Sequence, residues 1–223
     1  MNHAATPIKV MIVDDHDLVR YGLKSLLAVQ PGIDVVAETN SGEQAIEYCR
    51  ANASNLDIIM MDVNMPGIGG LEATQRISKS WPDIGIIIVS IHSEGALPKQ
   101  LLNGGARGYL SKGDKVEEIV TAIHDVHAGG CYIAKNIAQQ LAMSSLPSNK
   151  KNLIDKLSKR EIQVLMMIAQ GKKNNGISDT LNLSPKTVST YRKRLHEKLE
   201  VSSDIEMMHF AIKNGLLDKS LLE

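Results

Sequence analysis

Long apolar stretches and cysteines are the features that this 223-residue sequence lacks. No apolar run approaches the roughly 20 residues that a membrane-spanning helix needs, and the amino terminus shows no basic segment followed by a hydrophobic one. We therefore expect a cytoplasmic protein. The only two cysteines, Cys49 and Cys131, stand far apart, which argues against a disulfide scaffold and favours two reduced, packed thiols.

The chain also lacks a net charge, but its charges are distributed unevenly. Residues 1–140 contain 11 Lys and Arg against 16 Asp and Glu, whereas residues 141–223 contain 14 against 9. An acidic part joined to a basic part predicts different partners, and only the second part suits a polyanion such as nucleic acid.

Short apolar runs alternate with helix-like segments in the first part of the chain. The runs are IKVMIV at 8–13, VVA at 35–37, DIIMM at 57–61, IGIIIV at 84–89 and GYL at 108–110. Helices are predicted near 17–29, 42–52, 70–80, 95–104 and 115–128. Continuous rather than alternating hydrophobicity is typical of strands that are covered on both faces. The pattern predicts an α/β doubly wound domain with a five-stranded parallel sheet in the flavodoxin-like order.

The strand pattern ends near residue 130, and helical patterns replace it. IAKNIAQQLAM at 133–143 predicts a connecting helix, and the polar SSLPSNKKN that follows predicts a linker. Four more helical segments come next, at 158–171, 174–183, 184–199 and 202–216. We therefore predict a first domain over 1–130, a linker with a helix over 131–155, and an all-α domain over 156–223.

Carboxylates follow two strands of the predicted sheet. Asp14 and Asp15 follow the first strand, and Asp62 ends the third. The carboxyl ends of parallel strands meet at one edge, so these groups should converge there and repel one another unless a hard cation such as Mg²⁺ binds them. Ser90 after the fourth strand and Lys112 after the fifth suit a phosphoryl oxygen at the same edge. The constellation predicts phosphoryl transfer onto Asp62 as the nucleophile.

Two other interpretations of these acids are open from the residues alone. Asp14 or Asp17 could instead cap the helix that begins near residue 17. An aspartyl-phosphate phosphatase or phosphotransferase would use a related α/β fold, but such enzymes usually have a second acid two residues after the nucleophile, where this chain has Asn64. We expect the chain not to be an enzyme that acts on external substrates.

Four motifs in the first domain, VDDHDLVRYG, MDVNMPGIGGLEA, IVSIHS and GYLSKG, resemble the receiver domain of two-component response regulators across residues 8–128. The resemblance implies that Asp62 accepts a phosphoryl group from a sensor histidine kinase. It also implies that Asp15 and the main-chain carbonyl of Asn64 join Asp62 around Mg²⁺, and that Asp14 supports the metal site.

The same resemblance implies a switch pair. Ser90 would move toward the new phosphoryl group while Tyr109 turns inward behind it. A partly buried tyrosine without such a role is the alternative for Tyr109. Asn64 and His92 resemble the positions at which receivers adjust the rate of dephosphorylation.

A basic helix is predicted at SPKTVSTYRKRLHEKL, residues 184–199. Its apolar positions form one stripe, Val188, Tyr191, Leu195 and Leu199. Its opposite face is polar, with Lys186, Ser189, Thr190, Lys193 and Glu197, and with Arg192 and Arg194 on the flanks. Such a face suits a major groove with cations reaching the phosphates on either side, although a solvated basic face on a packed helix would have the same pattern.

This helix and the segment before it form a helix-turn-helix pattern. The run from LSKREIQVLMMIAQG to RLHEKLEV resembles the LuxR-type DNA-binding domain, across residues 157–215. The resemblance implies that Lys186, Ser189, Thr190 and Lys193 face bases or the adjacent backbone, and that Tyr191, Arg192 and Arg194 support the helix or contact phosphates. It also implies a homodimer on an inverted-repeat DNA site.

Two details of this domain carry their own expectations. Gly176 stands where the family usually has a better helix former, and Asn175 as a cap would place it in the first turn. The last helical segment is more apolar than a lone exposed helix needs, which we attribute first to core packing and second to a dimer contact. The apolar residues in question are Ile205, Met208, Phe210, Ala211 and Ile212.

Together, the two domains are similar to response regulators of the NarL/FixJ class, which are aspartate-phosphorylated transcription factors. DDHDLVR, MPGIGGLEATQRI, IAQQLA and LSPKTVSTYR resemble the group of global regulators that contains GacA, UvrY and LetA. That resemblance implies a membrane-bound sensor kinase as partner, dimerisation promoted by the phosphoryl group, and control of small regulatory RNA genes. A signalling adaptor whose basic domain binds protein or RNA is the alternative.

Overall fold

The computed structural model describes residues 6–91, 97–145, 153–214 and 216–217. The chain divides into two compact units; all the described strands lie in the first, and the last four described helices lie in the second. Within the described residues, no helix is both long enough and apolar enough to cross a membrane.

The first unit is built on a parallel sheet with the strand order β2-β1-β3-β4-β5-β6. The strands are β1 (Ile8–Val13), β2 (Ile33–Thr39), β3 (Ile58–Asp62), β4 (Gly85–Ser90), β5 (Gly108–Ser111) and β6 (Tyr132–Ile133). Its helices are α1 (Asp17–Ala28), α2 (Gly42–Asn52), α3 (Gly69–Ser80) and α5 (Val116–His127). Two more helices, α4 (Leu97–Asn103) and α6 (Lys135–Ser145), each have residues in both units. The flavodoxin-like order predicted from the apolar runs is confirmed.

The sheet has one strand more than the five that the sequence predicts. β6 pairs in parallel with β5, and the amides of Tyr132 and Ala134 donate to the carbonyls of Arg107 and Tyr109, each over 3.0 Å. A two-residue strand is too short to leave a hydrophobic pattern in the sequence. It nevertheless extends the first unit beyond residue 130.

The middle of the sheet is buried on both faces, which explains the continuous apolar runs. Every residue of β3 and of β4 is buried. On one face, side chains of the strands pack against α1 and α5; Ile12, Met60 and Leu110 meet Leu27 and Ile123 there. Burial of each such side chain is worth about 1.5–3 kcal/mol, so this packing fixes where the strand ends lie.

The turn after β3 brings the start of α3 against the end of that strand. The amide of Gly70 donates to the carbonyl of Val63 over 3.0 Å. A Cβ on residue 70 would overlap the carbonyl oxygen of Asp62 and crowd the Cα of Val63. Glycine is therefore required here so that the helix can approach the strand end closely.

A carboxylate from α2 holds the same turn. Gly67 has a φ of 80°, and a Cβ at this position would overlap the carboxylate of Glu43. An oxygen of that carboxylate accepts the amide hydrogen of Ile68 over 3.0 Å. The start of α2 is thus joined to the turn that follows β3.

The second unit contains four complete described helices after a 3₁₀ turn at Leu153–Lys156: α7 (Lys159–Ala169), α8 (Asn174–Leu181), α9 (Pro185–Leu199) and α10 (Asp204–Lys213). Ser158 and Glu161 form the predicted capping box of α7. Ser184 accepts the amide hydrogen of Thr187 over 3.1 Å and caps α9, whose first residue is Pro185.

A tight turn joins α8 to α9 and completes a helix-turn-helix. Asn182 ends α8 in the left-handed conformation with a φ of 51°, and the amide of Leu183 donates to the carbonyl of Ser178 over 3.0 Å. The cap expected at Asn175 is wrong, because α8 begins at Asn174 and its N-cap is Lys173. Gly176 still falls in the first turn.

Two expectations about packing are met only in part. Cys49 is buried but Cys131 is exposed, so the prediction of two packed thiols is wrong for Cys131, which lies in the connection before β6. In α10, Met207 and Ala211 are fully buried, whereas Ile205 is 64% exposed. Core packing therefore explains only part of the apolar character of this helix.

Candidate functional site

Four strand ends of the first unit bring polar side chains to one edge of the sheet. Asp14 directly follows β1, Asp62 ends β3, Ser90 ends β4 and Lys112 directly follows β5. β1, β3, β4 and β5 are consecutive neighbours in the sheet. Asp14, Asp62 and Ser90 are at most 3% exposed. Residues that are remote along the chain thus share one buried acidic pocket.

Lys112 connects the two buried carboxylates of this pocket. Its Nζ lies 2.6 Å from Oδ2 of Asp14 and 3.1 Å from Oδ1 of Asp62. Its main-chain amide donates to the carbonyl of Ser90 over 2.9 Å, which anchors the lysine to β4. A single ammonium group offsets the repulsion between two carboxylates but leaves the pocket with net negative charge.

His16 belongs to the pocket, and the sequence analysis did not assign it a role. Its amide donates to Oδ1 of Asp14 over 2.9 Å, and its Nδ1 lies 2.9 Å from Oδ1 of Asp15. The sequence signal was its position between Asp15 and Asp17, directly after the two acids at the end of β1. His16 is also the N-cap residue of α1, without a side-chain cap, so neither Asp14 nor Asp17 caps this helix.

The pocket has the ligand atoms that a hard cation needs. Asp14, Asp15, His16 and Asp62 each offer one such atom, all within 4.8 Å of one another. Oδ2 of Asp62 and Oδ1 of Asn64 are buried and have no hydrogen-bond partner among the described residues. A buried oxygen left unpaired costs about 1–3 kcal/mol. The donor set therefore fits Mg²⁺, which prefers carboxylate and carbonyl oxygens.

The pocket raises the pKa of both Asp62 and Lys112. Burial raises the pKa of Asp62 to about 6; Lys112 lowers it and Asp14 raises it further. Burial alone would lower the pKa of Lys112, but Asp62 and Asp14 outweigh that effect and raise it. Both pKa values are raised because burial dominates for the carboxyl and ion pairing dominates for the ammonium.

Ser90 and Tyr109 are in contact next to the pocket. Tyr109 is fully buried, and its hydroxyl forms a hydrogen bond with the side chain of Ser90. Burial raises the pKa of Tyr109 well above its usual range. Tyr109 is thus fully rather than partly buried, and its role as a switch stays a prediction. His92, the other position discussed with Asn64, lies outside the described residues.

The polar face of α9 is exposed in the second unit. Five of the six predicted DNA contacts are exposed: Lys186, Ser189, Thr190, Lys193 and Arg194. The buried stripe contains Val188, Leu195 and Leu199. Tyr191, predicted in that stripe, is only partly buried and lines an open depression of about 310 Å³ with Lys186 and Arg194, because it lies at the edge of the face that packs on the other helices.

Arg192 differs from the other five predicted contacts. Its side chain is 19% exposed, and its guanidinium group is bound to the carboxylate of Asp204 at the start of α10. Its Nε also donates to Oδ1 of Asn174, the first residue of α8, over 3.1 Å. The structure thus brings Arg192 to a junction of three helices rather than to the open face.

Comparisons with known families match both parts of the chain. The model of the response regulator receiver domain matches residues 10–124. The model described as bacterial regulatory proteins, luxR family, matches residues 155–211.

Similar proteins match over nearly their full length. Response regulator UvrY of Escherichia coli (strain K12) is 47% identical over 216 residues, which cover 96% of this chain and 98% of UvrY. Response regulator GacA of Pseudomonas aeruginosa (strain PAO1) is 47% identical over 212 residues, which cover 95% of this chain and 98% of GacA.

Solved structures resemble the fold at lower identity. The response regulator RcsB of Salmonella typhimurium superposes with a TM-score of 0.74 at 24% identity, over 92% of this chain and 96% of that one. An RcsB–DNA complex superposes with a TM-score of 0.58 at 25% identity, over 92% of this chain and 98% of that one.

Proposed function

Because the chain belongs to the two-component response regulators, with a receiver domain and a LuxR-type DNA-binding domain, we propose that it is a transcription factor switched by phosphorylation of Asp62. A sensor histidine kinase is the phosphodonor. Family membership assigns the chain to regulators rather than to enzymes. The observation that carries the proposal is the buried pocket in which Asp62, Asp14 and Lys112 meet.

Asp62 has the properties of a phosphoacceptor. Its pKa of about 6 leaves most of the carboxyl ionised at neutral pH, and only an ionised oxygen is a nucleophile. Lys112 lies within 3.1 Å of it and supplies positive charge where oxygens of an incoming phosphoryl group would gather. Ser90, at the end of the neighbouring strand, is placed to hydrogen-bond one of those oxygens.

Mg²⁺ is the cofactor that this pocket suits. Asp14, Asp15, Asp62 and the main-chain carbonyl of Asn64 would hold it; the convergence of the three carboxylates and the unpaired buried Oδ2 of Asp62 support the carboxylate ligands. When bound, the ion would neutralise negative charge on the phosphoryl oxygens. The chain's own part is to keep the carboxylates converged and to hold Lys112 beside them.

Ser90 and Tyr109 form the switch. Their hydrogen bond joins the pocket to a fully buried ring, so a shift of the Ser90 hydroxyl toward a phosphoryl group changes the packing of β5. Packed cores have discrete arrangements, which makes such a change two-state rather than gradual.

The output is sequence-specific binding of double-stranded DNA by the exposed face of α9. Lys186, Ser189, Thr190, Lys193 and Arg194 contact the groove and its phosphates. Phosphorylation promotes a homodimer, which places two such helices on an inverted repeat; the structure of two RcsB dimers bound to DNA supports this reading. We further propose small regulatory RNA genes as targets and action in the cytoplasm, as the resemblance of the sequence motifs to this group of regulators implies.

Titration of an operator fragment tests phosphate gating. The fragment is selected from random DNA with the phosphorylated protein, and affinities are measured with and without a small-molecule phosphodonor and Mg²⁺. We expect the donor to tighten binding by the wild type about 5- to 150-fold, the usual range of coupling between two sites. Asp62→Asn keeps the size of the side chain but removes the nucleophile, and it should not respond.

Asp83→Asn is the matched control, because Asp83 is an exposed acid of the same unit that lies outside the pocket. It should respond like the wild type. Equal affinities for all three proteins under both conditions would contradict phosphate gating. A retained response in Asp62→Asn would contradict the choice of Asp62.

A further inference from the structure

The loop between β1 and α1 supplies two of the three carboxylates of the pocket, those of Asp14 and Asp15. The side chain of Asp14 is held by contacts of its own. Its Oδ1 accepts the amide hydrogen of His16 over 2.9 Å, and its Oδ2 lies 2.6 Å from Nζ of Lys112. These contacts fix where the first carboxylate points.

Asp15 has no comparable support. Its Oδ1 is buried but accepts no hydrogen bond from the described residues, although Nδ1 of His16 lies only 2.9 Å away. At that separation, it is misalignment that prevents a hydrogen bond. The direction of the Asp15 carboxylate is therefore set chiefly by its main chain, and above all by the peptide group that joins it to Asp14.

Arg20, in the first turn of α1, holds that peptide group. Its Nη1 donates to the main-chain carbonyl of Asp14 over 2.6 Å. No backbone amide of the described residues donates to this carbonyl; the amides of Val19 and Arg20 both reach back only as far as the carbonyl of His16. The side chain of Arg20 is 15% exposed, although arginine side chains are usually exposed. The guanidinium group thus lies packed against the loop that carries the two acids.

The other contact of this guanidinium group contributes little. It is an ion pair with Oδ1 of Asp17, whose side chain is 92% exposed. Ion pairs with such exposed acids add little to stability. The rigid fork of donors lets Arg20 hold both partners at once, and the buried carbonyl is the partner that depends on it.

We infer that Arg20 is a positioning residue of the metal site, which fixes the peptide group between Asp14 and Asp15 so that the carboxylate of Asp15 stays within reach of Asp62. The inference rests on the proposed phosphorylation of Asp62 with Mg²⁺ as cofactor. Arg20 acts through the loop and not as a ligand, because a guanidinium group has no lone pair to offer a cation. Groups that orient metal ligands in this way typically change metal affinity by about 10- to 100-fold.

The charge of Arg20 by itself predicts the opposite result. A cation beside the pocket repels Mg²⁺, so its removal would strengthen binding if electrostatics alone mattered. Loss of a positioning group would weaken binding instead. The sign of the change therefore separates the two effects.

The first experiment measures Mg²⁺ binding to the full chain by isothermal titration calorimetry. We expect Arg20→Met to raise the dissociation constant by about 10- to 100-fold. Arg20→Lys should recover part of the affinity, because an ammonium group can still donate to the carbonyl but lacks the rigid fork. Asp17→Asn should bind Mg²⁺ like the wild type, because it leaves the bond from Arg20 to the carbonyl of Asp14 in place.

The second experiment measures the rate of phosphorylation by a small-molecule donor as a function of Mg²⁺ concentration. Arg20→Met should need about 10- to 100-fold more Mg²⁺ for half of its maximal rate, whereas the rate at saturating Mg²⁺ should change much less. A purely structural role would lower the amount of folded protein, and with it the maximal rate, without changing the Mg²⁺ requirement.

Arg76→Met is the matched control for loss of an arginine. Nε of Arg76 donates over 2.6 Å to Oε1 of Glu72, an acid one turn earlier on α3 and outside the pocket. This variant loses a cation and an ion pair of the same unit, as Arg20→Met does. It should keep the Mg²⁺ requirement of the wild type.

The outcomes are distinct. Unchanged or tighter Mg²⁺ binding by Arg20→Met would overturn the inference and leave phosphorylation of Asp62 intact, and a loss of the same size in Asp17→Asn would assign the effect to the ion pair instead. A wild type that binds Mg²⁺ but is not phosphorylated would overturn the proposed function, while calorimetry still decides the role of Arg20. Circular dichroism melting sets a temperature at which each variant is folded. If Arg20→Met does not fold, Arg20→Gln, which is also neutral and too short to keep the bond, takes its place.

Discussion

Lys198 Nζ lies 2.7 Å from Oε2 of Glu161, so the last turn of α9 is bound to the first turn of α7. The side chain of Glu161 is 3% exposed, whereas that of Lys198 is 37% exposed. Burial by itself would raise the pKa of Glu161, but the hydrogen bonds from Lys198 and Ser158 outweigh it and lower that pKa below its usual value. The pair holds α9 in place on the rest of its unit.

This pair makes the second unit sensitive to acid. A carboxyl with a lowered folded pKa contributes stability above its unfolded pKa, about 4.3 for Glu, and loses the contribution as the pH falls through the folded value. We expect protection of α7 and α9 amides from hydrogen exchange to fall across that window. Glu161→Gln keeps the cap, should cost about 1–3 kcal/mol at pH 7, and should respond less to acid.

Glu197→Gln is the control for the pH experiment. Its side chain is 63% exposed and lies 3.9 Å from Lys193, so removal of its charge should change stability by less than about 0.5 kcal/mol. An acid response of the same size in Glu161→Gln and in the wild type would show that another group is responsible.

Gly70→Ala should distort the acidic pocket, because residue 70 packs against the main chain of Asp62. The added Cβ would overlap the carbonyl oxygen of Asp62, and backbone cannot move aside as a flexible side chain can. We expect a loss of about 2–4 kcal/mol in unfolding free energy, with slower phosphorylation. Urea unfolding followed by Trp81, the only tryptophan of the chain, measures the loss in the first unit.

Gly22→Ala tests whether the effect of Gly70→Ala comes from overlap. Gly22 lies within α1, and a Cβ there would meet nothing within 4 Å. This substitution should raise stability by about 0.4–1 kcal/mol, because alanine loses less backbone entropy in a helix. Equal losses at both positions would rule out overlap as the cause.

Mg²⁺ should stabilise the first unit. The stabilisation should be larger when more of the negative charge of the pocket carboxylates is left without a compensating ammonium group. A ligand that binds only the folded state raises the melting temperature. We expect a rise with Mg²⁺ in the wild type, a smaller one in Asp15→Asn, and a larger one in Lys112→Met, where no ammonium group offsets Asp14 and Asp62. In chelator, Lys112→Met should melt below the wild type.

Lys24→Met controls for the loss of a cation. Lys24 forms an ion pair with Glu38 away from the pocket, and its side chain is 52% exposed. Its Mg²⁺ response should equal that of the wild type. If Asp15→Asn responds to Mg²⁺ as strongly as the wild type does, Asp15 is not a ligand.

The salt dependence of DNA binding should distinguish Lys193, an exposed cation of α9, from Arg192, a cation of α9 that is already paired within the protein. The side chain of Lys193 is 81% exposed, and its one ion pair with the residues that the structure describes is the 3.9 Å contact with Glu197, so it is available to a phosphate. Arg192 is occupied by Asp204 and Asn174. The logarithm of DNA affinity falls linearly with the logarithm of salt concentration, and Lys193→Ala should make that slope less steep by about 0.9. Arg192→Ala should weaken binding but leave the slope unchanged, and a reduced slope would instead make it a phosphate contact.

The sequence was sufficient to predict the order of the sheet and the convergence of its polar strand ends. Buried parallel strands need unbroken apolar runs, and the end of such a run marks where the strand meets the edge of the sheet. Asp62 after DIIMM and Ser90 after IGIIIV were placed by that rule. Capping residues such as Ser158 and Ser184 were also visible, because a cap acts within four residues.

Interactions between remote residues could not be predicted in the same way. The bond between Arg192 and Asp204 and the pair of Glu161 with Lys198 depend on the angles at which helices pack, and these leave no period in the sequence. Arg192 was predicted as a DNA contact together with its neighbours because it flanks the polar face of α9. β6 was missed because two residues cannot show an alternation, and its position follows only from the main chain of β5.

The carboxylate of Glu43 is bonded to the amide of Ile68, six residues after Asp62. Because of this bond, the segment after Asp62 cannot shift far without breaking it, turning the Glu43 side chain or moving the start of α2. A chemical event at one aspartate would therefore reach the surface of the receiver by a second route, on the opposite side of β3 from β4 and β5, which carry Ser90 and Tyr109.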